Sequence, residues 1–87
     1  MKTTVSALEK HFGALVRGLR IKKRFTQEGF ADHLGIDRSY AGKIERGQVS
    51  VTLRTADVIA KGLGLKISEL MTLLDKERGK SKDNPSV

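Results

Sequence analysis

The stretch Thr26-Gln27-Glu28-Gly29-Phe30-Ala31-Asp32-His33-Leu34-Gly35-Ile36-Asp37-Arg38-Ser39-Tyr40-Ala41-Gly42-Lys43-Ile44-Glu45-Arg46-Gly47 reads as two short helices joined by a sharp turn. The Thr26 hydroxyl is placed to cap the first helix, and Phe30, Ala31 and Leu34 then fall on one buried face. Gly35 ends that helix, because glycine takes the left-handed conformation of a helix terminus without a Cβ penalty. Asp37, two residues on, can accept the first backbone N–H groups of the next helix. Ile36, Ala41 and Ile44 close the inner side, and Ala31 is small where the two helices must approach closely. That leaves Arg38, Ser39, Gly42, Lys43 and Arg46 on the outer side of the second helix.

Several blocks within this stretch carry a resemblance: Thr26-Gln27-Glu28 with Phe30-Ala31, then Leu34-Gly35-Ile36, then Tyr40 and Lys43-Ile44-Glu45-Arg46-Gly47. Together they resemble the helix-turn-helix of the phage repressor and Cro family, the XRE-type DNA-binding regulators. The similarity continues through Thr52-Leu53, Ile59-Ala60, Leu63-Gly64-Leu65 and Ser68-Glu69-Leu70. Ile36-Asp37-Arg38-Ser39-Tyr40 is also similar to the recognition segment of controller proteins of restriction-modification systems. The resemblance implies an all-α, compact five-helix repressor-like domain. It also implies a phosphate contact by Gln27 and an ion pair between Arg20 and Glu45 that ties the first helix to the third. The chain departs from the usual pattern at Gly29, where a larger residue is common, and at Gly42 and Lys66, where serine is frequent. Val51 stands where many relatives have proline.

On the N-terminal side, Ser6 and Glu9 have the spacing of a capping box. Val5, Leu8, Phe12, Leu15, Val16 and Leu19 then recur at helical spacing to about residue 23. Gly13 and Gly18 weaken that helix locally. Lys22, Lys23 and Arg24 form a basic cluster before the next helix, where Arg24 is positioned for a phosphate. On the C-terminal side, Gly47-Gln48-Val49-Ser50-Val51 is a loop and Thr52 caps a fourth helix running to about residue 63. Leu53, Ala56, Ile59, Ala60 and Leu63 give that helix an apolar face, and Arg54 near its start could reach a phosphate. Gly64 breaks it. Leu65, Ile67, Leu70, Met71 and Leu74 make a fifth apolar stripe, larger than a short terminal helix normally hides. Leu70 and Leu74, with Val49 and Val51 nearby, are therefore the expected dimer surface. The expected domain spans residues 6–74, and residues 75–87 read as a flexible, polar, disordered tail.

The outer face of the third helix has the chemistry of base recognition. Arg38 and Lys43 carry donors for the N7 and O6 acceptors of guanine, and Ser39 can donate or accept. The planar fork of Arg38 makes it the more specific reader. Tyr40 and Arg46, at the edges, join Arg24, Gln27 and Arg54 as candidate phosphate contacts.

Charge supports this division. The net charge of +7 is distributed as +5 over residues 1–46, zero over 47–75 and +2 over 76–87. Cations gathered on one half suit a polyanion, since neutralising phosphates releases counterions. Eighty-seven residues fit one domain with a modest core, which a partner subunit would support. There is no cysteine, so disulfides and thiolate metal sites are excluded. No apolar run has the length of a membrane span, and residues 1–5 lack the apolar core of a signal peptide, so a soluble, cytoplasmic protein is expected.

His11 and His33 stand apart from other metal ligands, and no phosphate-cradling glycine loop or nucleophile elbow is present. No metal, cofactor or catalytic function is expected. The expected function is a sequence-specific transcriptional regulator, a homodimer on a roughly palindromic double-stranded DNA operator. Placed upstream of a promoter it could contact RNA polymerase. The alternative is an antitoxin-like interaction module that neutralises a partner protein, with DNA binding secondary.

Overall fold

The computed structural model describes residues 6–79 and contains five helices: α1 (Ala7–Lys22), α2 (Gln27–Leu34), α3 (Arg38–Glu45), α4 (Leu53–Gly62) and α5 (Ile67–Gly79). Each begins where a side chain can satisfy the first free N–H groups. Ser6 and Glu9 close a reciprocal capping box on α1. Thr26, Asp37 and Thr52 accept from the backbone N–H of Gly29, Tyr40 and Thr55. At α5, Lys66 offers no side-chain cap, but its own N–H donates to Glu69 Oε1 at 2.8 Å. Gly35, at φ 75°, makes the left-handed turn that separates α2 from α3. Arg24 has φ 66° without being glycine, so the tight link from α1 into α2 carries backbone strain.

The helices close around Phe12, Val16, Phe30, Ile44, Ile59, Leu63, Leu70 and Leu74. Helix α1 packs on α3 and α5, α2 on α3 and α4, and α4 on α5. Phe25, between α1 and α2, stacks on His33 with ring centroids 4.9 Å apart. This packs the α1–α2 link against α2.

Five expectations change. Leu70 is 0 % and Leu74 6 % exposed; both fill the subunit's own core, because α5 lies across α1 and α4 and turns them inward. Leu53, expected inside, is 79 % exposed at the first position of α4. Leu8, expected on the buried stripe of α1, is 40 % exposed. Residues 75–79, assigned to the tail, are the last residues of α5; residues 80–87 and Val5 lie outside the described residues. Gly42, expected on the open face of α3, is covered by side chains. Gly13 is also more than a weak point: a Cβ there would stand 2.3 Å from the Ile44 carbonyl oxygen, so the missing side chain sets how closely α1 approaches α3.

Candidate nucleic-acid interface

Buried beneath the α2–α3 pair is a polar cluster that joins three helices. Arg20 of α1 donates from Nε to Glu45 Oε2 at 2.7 Å and from Nη2 to Oε1 at 3.1 Å, a two-pronged bond to the end of α3. Its Nη1 donates to the Phe25 carbonyl at 2.8 Å. Gln27, at the start of α2, adds a bond from Nε2 to Glu45 Oε1 at 3.1 Å. Arg20 and Glu45 are 8 % and 7 % exposed. A charge pair withdrawn that far from water holds only when its hydrogen bonds are made, and among the described residues no buried side-chain polar atom lacks a partner. The cluster fixes α1, α2 and α3 relative to one another at the end of α3 opposite Arg38.

Above it lies the outer face of α3. Arg38, Ser39, Lys43 and Arg46 are exposed, and Tyr40 is half-buried with its ring against the core. Arg38 is not free in solution: its guanidinium lies 3.2 Å from Asp32 Oδ2 and 3.6 Å from Glu28 Oε1, both on α2. The hydrogen bond to Asp32, then the charges of Asp32 and Glu28, raise the pKa of Arg38 above its ordinary value. Such exposed pairs are weak, so the arginine can exchange them for another acceptor. Sequence alone assigns Glu28 and Asp32 no partner. Their i, i+4 spacing, which puts both on one face of α2, was the available signal.

Arg46 donates from Nε to Gln48 Oε1 at 3.1 Å, and Arg24 is exposed beside the start of α2. Arg54 is exposed at the start of α4. Arg38 and Lys43 on α3, Arg46 at its C-terminal end, and Arg24 and Arg54 on the flanking segments, are thus all exposed cations. Among the described residues, no group of three or more His, Cys, Asp or Glu could hold a metal ion.

A second surface is apolar. Leu8, Val49, Val51, Leu53 and Met71 line a groove of about 260 Å³ floored by Phe12, Ala56 and Leu74. Val49 and Val51 are half-buried there. Leu8, Leu53 and Met71 are the residues the sequence reading did not assign to a subunit surface. Glu9 sits at the groove's rim and accepts from Ser50 Oγ at 2.5 Å. That bond, with those from Ser6, lowers the Glu9 carboxyl from 4.5 to about 2.

The family model described as helix-turn-helix matches residues 16–70. The chain is 39 % identical over 67 residues to the control protein C.MunI of a Mycoplasma species, covering 76 % of this chain and 90 % of that protein. The crystal structure of the wild-type restriction-modification controller protein C.Esp1396I matches with a TM-score of 0.80 at 30 % identity, covering 87 % of this chain and 99 % of that one. The structure of the C.Esp1396I tetramer in complex with its natural 35 base-pair operator matches with a TM-score of 0.77 at 30 % identity, over 83 % of this chain and 95 % of that one.

Proposed function

The chain belongs to the helix-turn-helix family, and from that premise we propose that it is a sequence-specific, double-stranded DNA-binding transcriptional regulator acting as a homodimer on a palindromic operator. The observation that carries the reading is the exposed, cationic outer face of α3, held at a set angle by the buried Arg20–Glu45–Gln27 cluster. Helix α3 enters the major groove, where Arg38, Ser39 and Lys43 address base edges. Arg24, Gln27, Tyr40, Arg46 and Arg54 bond phosphates and set the register. The likeness to a controller protein solved as a tetramer on its operator supports this reading over an antitoxin-like module.

Residues 6–79 form one unit for both DNA binding and dimerisation. The second copy occupies the apolar groove of Leu8, Val49, Val51, Leu53 and Met71. Leu53, with 79 % of its surface in water, is the side chain that gains most from a partner. Two such subunits place their α3 helices in major grooves about 34 Å apart. The protein acts in the cytoplasm; bound over a promoter it represses, and bound upstream it can meet RNA polymerase.

Selection of bound sequences from random duplex DNA by the purified chain tests the reading. The expected outcome is a consensus with two-fold symmetry whose half-sites contain guanine. Recovery of unselected sequence would overturn it.

A further inference from the structure

One hydrogen bond decides which way an amide faces on the α3 surface. A carboxylate oxygen only accepts, so the Gln27 atom that bonds Glu45 Oε1 is Nε2, and the carbonyl Oε1 is left to face away from Glu45. That oxygen lies over Gly42. A Cβ at Gly42 would stand 3.2 Å from Gln27 Oε1 and 3.0 Å from Arg46 Nη1. Arg46 thus passes over bare backbone, with its Nε on Gln48 and its Nη1 over Gly42. The side chain remains exposed, so the guanidinium is open to an incoming acceptor.

Nothing in the helix requires glycine here. Gly42 is not among the positive-φ residues, glycine is a poor helix former, and an added methyl would meet only the movable ends of Arg46 and Gln27. What the missing Cβ leaves is room for the guanidinium to lie flat.

We propose that Gly42 is the seat of Arg46, a positioning residue that presents the Arg46 guanidinium to a DNA phosphate. This rests on the DNA-binding reading above. The seat spares Arg46 the loss of side-chain freedom on binding, because its conformation is set before the phosphate arrives. It acts on affinity for any duplex rather than on base preference, since a phosphate carries no sequence.

The test compares the full chain, Gly42→Ala, Arg46→Ala and the double variant on the selected operator and on a random duplex of equal length, across a salt series, with thermal melting of each. Gly42→Ala should melt no lower than the parent, yet bind both duplexes about three- to tenfold more weakly, with the salt slope reduced by up to about 1. In the Arg46→Ala background the same change should cost nothing further. Unchanged binding by Gly42→Ala overturns the seat while leaving the DNA-binding reading intact. So does an equal loss in both backgrounds, which would mean that the methyl itself meets DNA, and so does a lower melting temperature, which would make Gly42 a requirement of the fold. Failure of the parent chain to bind any duplex overturns the seat and the DNA-binding reading together.

Discussion

Arg38 stands at the first position of α3 with Asp32 and Glu28 against its guanidinium. To read guanine it must leave those carboxylates, so its worth on the operator is the guanine contact less the weak pairs it gives up. Arg38→Ala should lower operator affinity roughly 10- to 100-fold and relax preference at one base pair per half-site, with little effect on random DNA. Competition between operator and random duplex measures this; equal losses on both would make Arg38 a phosphate contact. Arg20 and Glu45 belong to the same scale but to stability. Arg20→Ala leaves a buried carboxylate with only Gln27 to bond it, and the expected cost is about 3 to 5 kcal/mol in denaturant unfolding. A double-mutant cycle with Glu45→Ala should show strong coupling. Simple additivity would mean that the pair adds nothing beyond its separate side chains.

Among elements, α1 illustrates how two glycines in one helix can have opposite meanings. At Gly13 an added Cβ would meet the backbone carbonyl oxygens of Ile44 and Glu45 at 2.3 and 2.6 Å, whereas at Gly18 it would meet nothing within 4 Å. Gly13→Ala must therefore push α1 off α3 and should cost about 1 to 3 kcal/mol or more. Gly18→Ala should stabilise by up to about 1 kcal/mol through helix propensity alone. Melting of the two variants decides it, and the prediction fails if they shift in the same direction. The N-terminus of α1 also carries a pH dependence. Glu9 is held near 2 when folded, against 4.5 as its ordinary value, first by Ser50 and then by Ser6. A depressed carboxyl binds fewer protons folded than unfolded, so its stabilisation is present above about pH 4.5 and is lost as pH falls toward 2. The stability difference between the parent and Glu9→Gln should shrink across that window. A difference constant with pH would remove the Glu9–Ser50 bond as its source.

At the scale of the molecule, the apolar groove left open beside the core connects folding to DNA binding. Leu53 lies on it at 79 % exposure, while Leu70 lies beneath at 0 %. Leu53→Glu should leave a folded, helical chain that sediments as a monomer, and operator affinity should fall by a factor of roughly 100 as the linkage of two half-sites is lost. Leu70→Glu should instead unfold the chain, since it buries a charge in the core. A Leu53→Glu dimer that binds normally would remove the groove from the interface, and a parent chain that is monomeric on its operator would remove the dimer.

The sequence by itself determined the five helices, the starts of the first four, and the turn between α2 and α3. Those features depend on short-range signals: a capping oxygen next to a free N–H, an apolar residue every three or four positions, and a glycine where φ turns positive. The charged outer face of α3 was legible for the same reason, since helical spacing sets which side chains share a face. Only the tertiary structure decided which apolar residues are spent inside the subunit and which are left for a partner. A stripe such as Leu65, Ile67, Leu70, Met71 and Leu74 has a buried side in either case, and its periodicity is the same whether that side meets α1 and α4 or a second chain. The packing of α5 across α1 and α4 closed over Leu70 and Leu74 and left Leu53 and Leu8 in water. It likewise took contacts between residues distant in the chain to put Gln27 and Arg46 over Gly42, because a missing side chain acquires its meaning from the neighbours that use the space.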